Sequence, residues 1–530
     1  MNAPNGPAGD GSGSLERPVR RSVWTPGLTR RRFLAAGAGA MAAGVTAGRV
    51  AGARPAPQPI RPPIPTGPPT PLQEEALAVL GKTTLRSPGS RPFPNLAPGT
   101  HAVPQIEHVV MCMMENHSYD NIFGMLGRAP GQTPRGDGFT ISNPTPTPFN
   151  PYGTPTFTNP YANGNTQLAF HMPTTCQNDV TVTQEWTQSH IQYDNGTNKG
   201  FVISGSGPSS MGYWTGQDLP FTYALANTFP IGDRYFCSLL GQTFPNRRYL
   251  IAGTSAGMTD DFGSSLDSLP QLGTLILPPP RGTIFDTLSA FNLSWRDYAT
   301  EYPLGATALL YPINDLIAEF EMTKIGQFFT DAAAGTLPNV CIIDMNFSTQ
   351  SQENPQNIVV GETFLRTVVQ ALGASPNWNT TVLVIQYDEH GGYADHVVPP
   401  VALAPDLIPA VVDVGESEYD GFTRYGFRVP SVVVSPFAKQ NYVSHLVYDH
   451  GSVVALIERI WNLPALGLRD ANANDLMDFI DQDAMQAGKP TLTPATVAGL
   501  PPSGESPASL ACSAQAPVPL PPAGSVVPAS

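Results

Sequence analysis

Two short stretches of this chain gather the residue types that hold metal ions. Glu115-Asn116-His117-Ser118-Tyr119-Asp120 directly follows the apolar run Ile106 to Met114, and Asp388-Glu389-His390-Gly391-Gly392 follows the run Thr380 to Tyr387. In an open α/β sheet, ligands bind beyond the carboxyl ends of the strands, so side chains placed just after such runs are where chemistry is expected. If the two runs are neighbours, Glu115, Asp388, Glu389 and the Asn116 amide converge. Three crowded carboxylates repel one another and resist ionisation unless a cation neutralises them, which predicts one divalent metal ion. Oxygen donors suit calcium, magnesium or manganese, and zinc also accepts carboxylates. Either pair alone reads as well as a helix cap or a solvated loop.

A third stretch, Gly241-Gln242-Thr243-Phe244-Pro245-Asn246-Arg247-Arg248, follows an extended run near Ile231 to Phe236 and leads into a helical pattern from about Arg247. Pro245 suits the first turn of that helix, where its missing N–H is not needed. Thr243 then stands at a helix N-terminus, where free N–H groups and the helix dipole favour a phosphate. Coordination to a divalent cation would lower the pKa of its hydroxyl and aim it at phosphorus as a nucleophile. The same position also suits an ordinary threonine N-cap, and spacing leaves both readings standing.

The elements that must position these residues are legible as four near-continuous apolar runs: Ile106 to Met114, Val340 to Met345, Thr380 to Tyr387 and Val429 to Val434. Such runs are expected of central strands covered on both faces. Alternating with helical patterns, they predict an α/β fold with a largely parallel sheet flanked by helices over residues 101–500. Residues from Ser142 to about Thr183 are rich in Pro, Asn, Thr and Gly, and predict a long irregular cap insertion, about 142–215, beside the site. A short helix is expected at Leu72 to Leu80.

Both ends differ from this core. Thr29-Arg30-Arg31-Arg32-Phe33-Leu34, an Ala/Gly-rich apolar run and Ala51-Gly52-Ala53 read, in that order, as a twin-arginine signal peptide over 1–53. The expected partner there is the twin-arginine export machinery, and the expected location is outside the cytoplasm, secreted, periplasmic or at the cell envelope. Residues 54–100 form a Pro-rich linker and N-terminal extension, and 501–530 a Pro/Ala-rich tail expected to be disordered. No other stretch is long and apolar enough to span a membrane. A formal charge of −14 argues against a nucleic-acid partner. The five cysteines include no C-x-x-C pair, and Cys112 and Cys341, within apolar runs, are expected in the core.

The run Glu115 to Gly124, Thr243-Phe-Pro-Asn-Arg247, and Tyr387-Asp-Glu-His-Gly-Gly392 through Asp395-His396-Val397 resemble signature blocks of a bacterial phosphoesterase family of phospholipases C and acid phosphatases. Weaker matches at Ser294 to Tyr298, Ser375 to Trp378 and Tyr448 to Ser452 keep the order, so the resemblance spans roughly Pro104 to Leu466. It implies an alkaline-phosphatase-like core and hydrolysis of phosphate esters, phospholipid head groups or small phosphomonoesters. One metal would be held by Glu115, Asn116, Thr243, Asp388 and Glu389, with Thr243 as the phosphoryl-accepting nucleophile and Asn246 among the substrate-binding residues.

Two departures concern proton transfer. Aligning Trp186, His190 and Gly200-Phe201 puts Gln184 where the family has histidine, and its Glu-His-Pro appears as Glu353-Asn354-Pro355. Gln184 and Asn354 can hydrogen-bond a phosphate oxygen but cannot protonate a leaving alkoxide. His190 is the candidate to replace the missing acid. His117, His390, His396 and His450 are assigned to holding ligands and loops in place. The alternative to an enzyme is a phosphate- or phospholipid-binding protein that kept the metal site.

Overall fold

The computed structural model describes residues 68–177, 180–261, 269–274, 278–302, 305–310, 321–504, 512 and 518–529. The expected signal peptide, 1–53, and residues 54–67 of the expected linker and extension lie outside them.

The four apolar runs become strands His108–Met114, Val340–Asp344, Thr381–Tyr387 and Ser431–Val434, every residue of them buried. Each fully buried Val, Leu, Ile or Met side chain contributes about 1.5–3 kcal/mol, so covering both faces favours continuous apolar strands. They sit in an eight-stranded sheet ordered Met322–Lys324, Trp295–Ala299, Val340–Asp344, His108–Met114, Thr381–Tyr387, Ser431–Val434, Ile231–Gly232 and Val443–Ser444. Neighbours pair in parallel except at Ser431–Val434, which runs against both its partners. The fold is the expected α/β class.

Helices cover the sheet. Ile358–Gly373 is started by the Asn357 side chain accepting the Val359 N–H, and it buries Phe364, Leu365, Val368, Val369 and Leu372. His450–Ile460 packs against Thr243–Ala252. The short N-terminal helix runs Pro71–Val79, with Thr70 and Gln73 forming a reciprocal cap. Cys112, Cys237 and Cys341 are buried free thiols. No helix of the described residues is long and apolar enough to cross a membrane.

Residues 141–213 carry small sheets: Ile141–Asn143 with Thr154–Pro155, Phe170–His171 with Gly212–Tyr213, and Thr158–Pro160 with Thr166–Leu168. The last gains a third strand from the tail, Val526–Val527. Where it is described, the tail is therefore not the disordered segment expected from composition. A Pro-free dipeptide there pairs with exposed strand-edge groups, Gln167 donates to Ser525, and Cys512 is disulfide-bonded to Cys176.

Candidate active site

Pairing of His108 with Thr381 through Met114 with Tyr387 delivers the two central strands side by side. Glu115, Asn116, Asp388 and Glu389 leave them together, all buried. Asn116 is left-handed, φ 60°, and its N–H donates to Asp388 Oδ1 at 2.9 Å. Gly391 closes the second loop against it. A Cβ there would stand 2.0 Å from the Asn116 carbonyl oxygen, and φ is +65°, so glycine is required.

The third stretch arrives as the helix Thr243–Ala252, four residues earlier than the periodicity suggests, with Pro245 still in its first turn. The N-cap is Gln242, so Thr243 is not the cap. Its hydroxyl instead lies 3.4 Å from both Glu115 Oε2 and Asn116 Oδ1. Such spacing is long for a hydrogen bond and suits oxygens sharing one ion.

Arg247, one turn beyond Thr243, donates to Glu115 Oε1 from Nε at 3.2 Å and from Nη2 at 2.5 Å, with Asp388 Oδ2 3.9 Å from Nε. One of the three negative charges is thus met by the protein itself, a role the motif did not assign although the i, i+4 spacing puts both side chains on one face. Burial, then Asp388 and Glu115, push the Glu389 carboxyl well above the usual range. The Asn116 side-chain oxygen faces Glu115 Oε2 at 2.7 Å, Glu389 Oε1 at 3.0 Å and both Asp388 oxygens at 3.2 Å. Oxygens crowded in this way repel unless the amide turns its nitrogen inward or a cation lies among them. Contacts near 3 Å are also the spacing of ligands held about 2.1 Å from one ion. The donor set fits a hard divalent metal.

Other expected site residues serve elsewhere. Asn246 accepts the Ser238 and Leu239 N–H groups at 2.8 and 3.2 Å and donates to the Gly241 and Gln242 carbonyls at 3.0 Å. Its amide shapes the turn into the helix and is not left for substrate. His190 Nδ1 faces the Trp186 carbonyl at 2.7 Å and Nε2 faces Asp420 at 3.5 Å, with the ring stacked 4.0 Å from Tyr419. These contacts hold the ring between its own helix and the 420 loop. Asn354 donates to the Val180 carbonyl at 3.2 Å. Gln184 follows Thr183, whose backbone packs against Gly392. The two departures thus lie on loops joined to each other.

The remaining histidines brace the site. His450 Nε2 meets the Asp388 carbonyl at 2.8 Å, His390 lies 3.3 Å from Glu389 and 2.6 Å from Gln192, and His117 meets the Gln352 carbonyl at 2.9 Å. Burial lowers His117 to about 4 and both His390 and His450 to about 3, so all three are neutral near pH 7.

Asp120, Asp395 and His396 form a second group that could hold a metal ion. Here the charges are already met. Arg428 donates to Asp395 at 2.9 and 3.1 Å and to Asp120 at 3.2 Å, and His396 Nδ1 lies 2.6 Å from Asp120. Burial opposes a charged His396, but Asp120 outweighs it and raises the ring to about 10. Two carboxylates balanced by two cations describe an ion-pair network.

A carboxylate cage facing a threonine at a helix N-terminus, at the carboxyl ends of parallel strands, is the arrangement of a phosphoric ester hydrolase. The chain belongs to the Phosphoesterase family, whose model matches residues 106–464. It is similar to Phospholipase C A of Mycobacterium tuberculosis (strain CDC 1551 / Oshkosh), 28% identical over 416 residues, 70% of this chain and 76% of the relative. It is also similar to Non-specific phospholipase C1 of Arabidopsis thaliana, 29% identical over 394 residues, 69% of each. Among solved structures, a protein in the alkaline phosphatase superfamily from Vibrio parahaemolyticus aligns over 64% of this chain and 75% of its own at 11% identity and a TM-score of 0.30, too slight a likeness to bear weight.

Proposed function

We propose that this protein is an exported, metal-dependent phospholipase C-type hydrolase that cleaves phosphodiesters through a phosphothreonine at Thr243. The observation that carries the reading is the gathering of Glu115, Asp388 and Glu389 around the Asn116 side chain, with the Thr243 hydroxyl 3.4 Å from Glu115 and Asn116. These five would hold the divalent ion, which would supply positive charge for the phosphoryl oxygens and lower the hydroxyl pKa.

The Thr243 hydroxyl releases its proton to solvent as its oxygen attacks phosphorus, the bond to the alcohol breaks, and water then cleaves the phosphothreonine, dividing one difficult displacement into two easier ones. No histidine or other acid stands at the Gln184 and Asn354 positions, so the departing alkoxide takes its proton from water. Poor leaving groups should turn over slowly. Exposed apolar side chains support a lipid substrate: Ile191 lies beside His190, on which the exposed Tyr419 stacks, and Val414 is 72% exposed on the same loop. Similarity to phospholipases C supports the same choice over phosphomonoesters.

The test is hydrolysis of p-nitrophenylphosphorylcholine and p-nitrophenyl phosphate with and without chelator, beside Thr243→Ala. Chelator-sensitive turnover that vanishes in the variant, with a phosphorylated Thr243 peptide in acid-quenched wild type, is expected. Unchanged turnover by Thr243→Ala would rule out the phosphothreonine. A folded, metal-loaded protein with no turnover of either compound would point to the binding-protein reading.

A further inference from the structure

The amino end of the Thr243–Ala252 helix is where a phosphoryl group would approach, yet an anion of the protein is already there. Asp261 Oδ1 accepts the Phe244 N–H at 2.7 Å, and the Asp261 N–H donates to Gln242 Oε1 at 2.8 Å. Gln242, the N-cap, offers no side-chain cap of its own, so a residue beyond the far end of the helix caps it instead.

We propose that Asp261 sets the charge of the phosphoryl pocket so that phosphodiesters are accepted in preference to phosphomonoesters. This rests on the reading of Thr243 and its neighbours as a metal-dependent phosphoryl site. Glu115, Asp388 and Glu389 bring three negative charges when ionised, Arg247 returns one, and a divalent ion returns two, so the cage closes near neutrality. Asp261 adds one negative charge at its mouth. A diester carries a single negative charge. A monoester carries nearly two at neutral pH, its second ionisation lying near pH 6, and so meets about twice the repulsion. Donors argue the same way. A monoester presents three terminal oxygens and a diester two, and the Phe244 N–H, placed by the helix to receive an anion, is committed to Asp261.

Asp261→Asn removes the charge while its amide oxygen can still accept the Phe244 N–H, and Asp261→Glu keeps the charge. The experiment measures kcat/KM for p-nitrophenylphosphorylcholine and p-nitrophenyl phosphate at pH 7.5 in wild type and both variants, with calorimetric binding of inorganic phosphate to each metal-loaded protein. In Asp261→Asn the monoester kcat/KM should rise about tenfold or more relative to the diester, with tighter phosphate binding, as expected for removing one like charge near the pocket. Asp261→Glu should stay near wild type. Equal changes for both esters, or unchanged phosphate affinity in Asp261→Asn, would overturn the proposal. Loss of the phosphothreonine reading is seen separately, as turnover that survives Thr243→Ala. Phosphate calorimetry reads the Asp261 charge even if neither ester is hydrolysed.

Discussion

Arg428→Met asks whether the Asp120, Asp395 and His396 group is an ion-pair network centred on arginine. The guanidinium makes five hydrogen bonds: two to Asp395, one to Asp120, and one each to the carbonyls of Asp137 and Asp233 at 2.7 and 3.0 Å. Methionine matches the length of the stem but strands two fully buried carboxylates with only His396 to balance them. Breaking a buried pair by removing one partner costs about 3–5 kcal/mol. With an unfolding entropy of roughly 2 cal/mol/K per residue in a domain of roughly 400 residues, this lowers Tm by about 4–6 °C. Arg428→Lys should recover only part of the loss, since an ammonium cannot span both carboxylates and both carbonyls. Adding Asp120→Asn to Arg428→Met should restore stability, giving a coupling energy of more than about 1 kcal/mol. The assay is urea unfolding of each variant at pH 7.5. A loss of less than about 1 kcal/mol for Arg428→Met would refute the reasoning, because a buried pair of uncompensated carboxylates cannot be that cheap.

Glu362 accepts the Thr222 and Gly504 N–H groups at 2.8 and 3.0 Å, and burial pushes its carboxyl from 4.5 to about 7. A raised folded value favours the native state fully below pH 4.5, and the contribution is lost as pH rises to about 7, a change of ~3 kcal/mol. Glu362→Gln cannot ionise and should flatten the stability profile over that window in urea titrations; a slope identical to wild type would contradict it. Gly391→Ala should cut hydrolysis by more than about 100-fold, the scale of a 1 Å misplacement in a catalytic site. The cause is that its Cβ would meet the Asn116 carbonyl oxygen at 2.0 Å, and chromogenic assay together with metal analysis would detect activity and occupancy falling in step.

Much of the framework could be read from the chain because the central strands are buried on both faces, which writes them as unbroken apolar runs. Side chains just past such strands must meet if the strands pair, and so Glu115, Asn116, Asp388 and Glu389 were legible as a set. Thr243 was legible by its neighbours but ambiguous in role, since capping and metal contact ask for the same hydroxyl. Asn246 sits in the same motif yet turns its amide onto backbone, and motif membership cannot tell those uses apart. Asp261 and Arg428 come from segments with no local periodicity, and only tertiary contact assigns them. Composition does not foresee the described contacts of the tail: proline and alanine weaken local structure, but a disulfide ties Cys512 to Cys176 and Val526–Val527 pairs with a strand.

The Cys176 to Cys512 bond joins residues 336 positions apart, closing a covalent ring that holds every strand of the main sheet except His108–Met114. A protease that cuts the exposed loop around Val414 would leave both fragments in one molecule, because each keeps one end of the bridge. Such a nick would be invisible on a gel run without reductant. The strand bearing Glu115, outside the ring yet clasped on both sides by Val340–Asp344 and Thr381–Tyr387, would stay in register with its partners after the cut.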